Sequence, residues 1–130
     1  MSKRFTETDK WKDPWFRRLP CKYKSFWEYL RDNCDQAGFW KVDLDYAAYH
    51  IGENLERKEV LEQLNNGKIR VVDHGEHWEL ADFVGFQNGP LKESCKPHRP
   101  IIKLLEKYKK KGYRKGINTL EVKEKERVIR

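Results

Sequence analysis

The chain has 130 residues, enough for one compact domain and too few for two ordinary ones, and carries 28 Lys+Arg against 21 Asp+Glu for a net charge of +7. At 13% aromatic residues it holds too many core-forming rings for a disordered chain. No apolar run nears the roughly 18 residues of a membrane span, and Met1-Ser2-Lys3-Arg4-Phe5 is not the start of a secretory signal, so no membrane partner is expected.

Residues 1–18 read as an extended N-terminal arm, polar but interspersed with Phe5, Trp11, Trp15 and Phe16, that packs back on the body. Pro20 suits the first turn of a helix, where its missing N–H has no partner to lose. Tyr23, Phe26, Trp27, Leu30 and Cys34 then recur at helical spacing, so a first helix is expected over 20–35, stopped by Gly38. Phe39-Trp40-Lys41-Val42 is a short β-prone run. Asp43 is a good N-cap for a two-turn second helix with Leu44, Ala47, Ala48 and Ile51 on one face and Gly52 at its C′ position.

Asn54 opens a third helix over about 55–65 that buries Val60, Leu61 and Leu64 and stops at Gly67. The period then changes to two. Ile69 and Val71 alternate with Lys68 and Arg70, and Trp78 and Leu80 with His77 and Glu79, around the turn Asp73-His74-Gly75-Glu76, which Gly75 closes with positive φ. Phe83, Val84 and Phe86 are taken to extend the second hairpin strand, and 88–99 to be loop. Pro100 opens a last helix with Ile101, Leu104, Leu105 and Tyr108 on one face, and 111–130 follows as a flexible basic tail.

The fold class expected is α+β: a winged helix-turn-helix of three helices plus a β-hairpin wing over 19–110, with a C-terminal helix and basic tail. Three short helices cannot enclose a core alone, and the hairpin with the stray strand covers their open side through Phe39, Ile69, Val71, Trp78 and Leu80.

Charge points to a polyanion. Residues 96–130 hold 13 basic and 4 acidic residues, whereas 1–95 hold 15 basic and 17 acidic. A basic segment on a near-neutral body attracts nucleic acid first. In winged-helix proteins that bind DNA the third helix enters the major groove, but here its outward face carries Glu56, Lys58, Glu59, Glu62 and Gln63 and is net acidic. Asn54, Arg57 and Lys58 at the helix start remain candidate DNA contacts. Backbone contacts are expected from Lys68 and Arg70 at the wing base, from Lys92, Lys96 and Arg99, and from Lys103, Lys107, Lys110, Lys111, Arg114 and Lys115. Tyr113 is the best candidate for base stacking.

Lys10-Trp11-Lys12-Asp13-Pro14-Trp15-Phe16-Arg17-Arg18-Leu19, with Tyr23-Lys24, Asp32-Asn33-Cys34-Asp35, Ala37-Gly38, Asn65-Asn66-Gly67-Lys68-Ile69 and Phe86-Gln87-Asn88-Gly89, resembles the N-terminal region of phage and prophage replication proteins. These are the replisome organisers, or DnaD-like initiation proteins, and the likeness runs over about residues 3–120. It implies a winged-helix domain that acts in phage replication initiation by binding origin DNA or by self-assembling, with homo-oligomers and a helicase or helicase loader as further partners. Such relatives continue beyond a tail of this kind, so a form without their second domain is expected.

Chemistry other than binding finds no motif. There is no Walker loop, Gly-x-Ser-x-Gly, His-Glu-x-x-His or Cys-x-x-Cys, so neither an enzyme nor a cofactor is expected. Cys95-Lys96-Pro97-His98 offers two zinc ligands where a structural site wants four. His74 and His77 are read as solvated turn residues. Cys21, Cys34 and Cys95 lack framework spacing and fit free thiols in a reducing cytoplasm, the bacterial host's on the resemblance. A docking module using the acidic third helix and a small transcriptional repressor are the alternatives.

Overall fold

The computed structural model describes residues 3–64 and 67–110. Their architecture is α+β, with six α-helices and one three-stranded antiparallel sheet. The chain divides into two compact units: a helical one from residues 3–33 and 43–64, and a sheet-bearing one from residues 34–42 and 67–110.

In the helical unit the N-terminal segment is folded, not extended as expected. A 3-10 turn spans Thr8–Lys12, and α1 spans Pro14–Arg17, with the Asp13 carboxylate accepting from the Trp15 amide at 2.9 Å. Ring, charge and backbone contacts hold this segment to helix α2, Cys21–Asn33. Trp15 meets Trp27 edge-on at 5.2 Å, Lys10 pairs with Glu28 at 2.9 Å, and Arg4 donates to the Arg31 carbonyl at 2.8 Å. The packing on the body is as expected; the turns are not legible, because caps and local backbone bonds set them and leave no apolar periodicity.

Helix α2 buries Tyr23, Phe26, Trp27 and Leu30, the i, i+3, i+4, i+7 stripe the sequence announces. It ends at Asn33, so Cys34 is buried just beyond it and not on its face. Helix α3 spans Leu44–Ile51 between its expected punctuation: Asp43 accepts from the Tyr46 amide, and Gly52, at φ +85°, donates to the Ala48 carbonyl. Helix α4, Arg57–Leu64, buries Val60, Leu61 and Leu64. Burial raises the Tyr23 hydroxyl above its usual pKa, reinforced by Glu59, which accepts its hydrogen bond, and by Glu56.

In the sheet-bearing unit, strands β1 (Phe39–Lys41), β2 (Ile69–Val72) and β3 (His77–Leu80) lie in the order β1-β3-β2. The stray strand therefore pairs with the second hairpin strand, Trp40 opposite Trp78, and β3 becomes central. At the hairpin tip Asp73, His74 and Gly75 have φ +53°, +56° and +90°, and the Glu76 amide donates to the Asp73 carbonyl at 3.0 Å. Positive φ at both central residues is the mark of a type I′ turn, whose twist suits a tight hairpin.

Two expectations fail here. Phe83, Val84 and Phe86 form helix α5, Phe83–Asn88, and not a strand extension. Both edges of β3 are already paired, and the last ladder-like bond, from the Ala81 amide to the Lys68 carbonyl, closes the sheet. Residues 88–99 are not all loop, since a 3-10 turn at Lys96–His98 leads into helix α6, Arg99–Lys110.

Helix α6 covers one face of the sheet. Ile101 and Tyr108 pack with Ala37, Phe39 and Val72, and the Tyr108 ring stacks on Phe39 at 3.9 Å between centroids. Gly38 has φ +88°, and a Cβ there would lie 3.1 Å from the Phe83 Cβ and 3.3 Å from the Leu80 carbonyl oxygen, so any side chain there is both strained and crowded.

Candidate nucleic-acid interface

Helix α6 is strongly two-sided. Ile101 and Tyr108 are buried and Leu104 and Leu105 half-buried, while Arg99, Lys103, Lys107 and Lys110 are all exposed. Their spacing of four, four and three residues puts them on successive turns of one face, along about 16 Å of helix. The Arg99 Nε donates to the Glu93 carbonyl at 3.0 Å, which anchors the start of this stripe to the preceding loop. Lys107, Lys109 and Lys110 also sit in the last turn, where positive charge offsets the helix dipole.

The other expected contacts are dispersed. Lys92 and Lys96 are exposed in the segment leading into α6. Arg70 is drawn into an ion pair, its Nε 2.9 Å from Glu79 Oε1 across the β2–β3 ladder, and Glu79 is only 5% exposed. Glu79 lies opposite Phe39 on the sheet face that α6 packs against, and the pair with Arg70 offsets the cost of burying a carboxylate. Lys68 is half-buried at the start of β2. Asn54, Arg57 and Lys58 belong to the helical unit, exposed beside Glu53, Glu56 and Glu59. Lys111, Arg114, Lys115 and Tyr113 lie outside the described residues.

The hairpin tip is a poor phosphate contact, with Asp73 and Glu76 among its four residues. His77 is not the solvated residue expected. Its Nδ1 lies 2.9 Å from Asp73 Oδ2, and its ring meets Tyr108 edge-on at 5.0 Å. Burial first, then Asp35 and Asp73, raise the Tyr108 hydroxyl above its usual pKa.

At the Cys95/His98 pair, the Lys92 amide donates to His98 Nδ1 at 3.1 Å. No group of three or more His, Cys, Asp or Glu side chains among the described residues is arranged to hold a metal ion. No helix of the described residues is long and apolar enough to cross a membrane.

Comparison of the chain with protein-family models, curated proteins and solved structures finds no match.

The near-neutral sum over residues 1–95 hides an internal polarity. Residues 3–24 hold 8 basic and 3 acidic residues, and 25–95 hold 7 basic and 14 acidic. A running charge count finds both. The exposed rings of Tyr46 and Tyr49 on α3 are not marked by the spacing of Leu44, Ala47, Ala48 and Ile51, which specifies only the helix's inward side.

Proposed function

We propose that this is a non-enzymatic, winged-helix-like DNA-binding protein of phage-type replication initiation, which grips duplex DNA through its backbone with α6. The cationic stripe Arg99, Lys103, Lys107 and Lys110 carries the reading. A row of exposed cations on a helix whose other side is fixed to a sheet offers phosphates a rigid positive edge at little cost in ordering. The order helix, strand, helix, helix, hairpin supports the winged-helix layout, and the resemblance to replisome organisers supports the setting.

Backbone contact neutralises phosphates and releases condensed counterions, so affinity falls steeply with salt while sequence preference stays small. Carboxylates along α4 disfavour its insertion into a groove lined by phosphates. Reading of bases by the third helix, the usual winged-helix device, is therefore not the main source of affinity.

Fluorescence anisotropy on a random-sequence duplex, across a salt series, tests the reading. Four phosphate contacts give a log–log slope of roughly −3 to −4, and Lys103→Gln with Lys107→Gln reduces its magnitude by about 2. A slope unchanged by the double variant removes α6 from the interface. Failure to bind duplex at all ends the reading in favour of a docking module, and sharp preference for one palindrome favours a repressor.

A further inference from the structure

Helix α3 leaves two large rings in water that its packing does not need. Its one fully buried residue is Ala47, whereas Tyr46 and Tyr49 are 57% and 80% exposed. These rings are not loose. Tyr46 meets His50 edge-on at 4.2 Å, and Tyr49 and Tyr29 lie 5.6 and 5.8 Å from the same ring. The Tyr29 hydroxyl is 3.3 Å from His50 Nδ1, so His50 organises a surface cluster of three tyrosines.

Beside that cluster lies an open groove of about 460 Å³, lined by Asp45, Ala48, Tyr49, Gly52, Glu53 and Asn54. Gly52, in the left-handed conformation, ends α3 and turns Glu53 and Asn54 to the groove. A Cβ built on Gly52 would meet nothing within 4 Å, so this end of the groove is open. Asp45 and Glu53 are exposed, and among the described residues neither forms an ion pair.

We propose that this groove docks an arginine-bearing basic segment of a partner protein, with a guanidinium laid on Tyr49 and held by Asp45 and Glu53. The chemistry favours arginine. Its planar fork stacks on an aromatic face and donates to carboxylates at the same time, which a lysine ammonium does less well. Nucleic acid is a poor occupant, because the two carboxylates repel phosphates. The whole chain carries +7 and repels basic peptides in general, so affinity for one has to arise locally. Exposed aromatic surface beside charge of one sign is the pattern of an interaction site. This surface is in the helical unit and does not depend on α6 binding DNA.

The test titrates the full chain with a short fluorescein-labelled peptide alternating arginine and serine, at low salt. The expected result is saturable binding, weaker for the lysine–serine peptide, with amide NMR shifts confined to residues 43–54. Tyr49→Ala weakens it about threefold, and Asp45→Asn with Glu53→Gln about fivefold. Tyr49 is so exposed that its removal leaves folding intact, and Lys103→Gln with Lys107→Gln leaves peptide affinity unchanged or slightly raised. Three results overturn the proposal: no binding of the peptide, affinity indifferent to both groove variants, or displacement of the peptide by oligo-dT that itself depends on Tyr49.

Discussion

The segment that enters and forms α4 in the helical unit presents Glu56, Glu59 and Glu62 to solvent beside Arg57 and Lys58, whereas α6 of the sheet-bearing unit presents Arg99, Lys103, Lys107 and Lys110. Inward, the two helices are built alike. One buries Val60, Leu61 and Leu64, the other Ile101 and Tyr108 with Leu104 and Leu105 beside them. Apolar spacing decides where each helix packs, and the outward charges decide what each can meet. These two properties are set by different residues, which is why knowing a layout does not say which helix recognises a ligand.

One substitution in each unit separates side-chain volume from backbone geometry as a cause of stability. In the helical unit Phe26→Ala, which deletes a ring with no exposure, probes side-chain volume and is expected to cost about 3–5 kcal/mol in urea unfolding. In the sheet-bearing unit Gly38→Ala probes backbone geometry and is expected to cost roughly 2–4 kcal/mol, from a positive φ and a crowded Cβ together. A cost near zero for the second would mean that strand β1 enters the sheet without needing the left-handed residue. Removing the α3 cap with Asp43→Ala should cost about 1 kcal/mol by the same measurement. His74→Asn converts the hairpin tip to Asn-Gly, the preferred type I′ pair, and should gain about 0.5 kcal/mol.

The last effect is confined to alkaline solution. Tyr108 has its pKa raised in the folded protein, so the native state holds that proton more tightly than the unfolded chain. Its contribution is complete below the unfolded value near 10 and is lost as pH rises through the folded value. Tyr108→Phe should therefore flatten the decline of stability above pH 10, and an unchanged alkaline limb would remove Tyr108 as its cause.

Where a single physical rule acted alone, the sequence was readable. The i, i+3, i+4, i+7 stripe of Tyr23, Phe26, Trp27 and Leu30, the Asp43 and Gly52 stops of α3, and the hairpin closed at Gly75 all stand as expected. Misreadings occurred where tertiary partners chose between local options. Phe83, Val84 and Phe86 suit a strand as well as a helix, and only the full pairing of β3 removes the first choice. The alternation of Glu79 with Trp78 and Leu80 does not say what covers its face; α6, packed on its cross-strand partner Phe39, and the ion pair with Arg70 do. The candidate sites follow the same division. Lys103, Lys107 and Lys110 could be named from charge and periodicity, while the groove under Tyr49 needed the turn at Gly52 and the placing of Glu53, which spacing does not specify.

The stacking of Tyr108 on Phe39 gives α6 two jobs, since the helix that displays the cations is also the lid of the sheet. A polyanion seated on its outer side would press the inner side down. The amides of β1 and β3, remote from any phosphate, would then exchange their hydrogens more slowly in the complex. Occupancy outside would be recorded as quiet within.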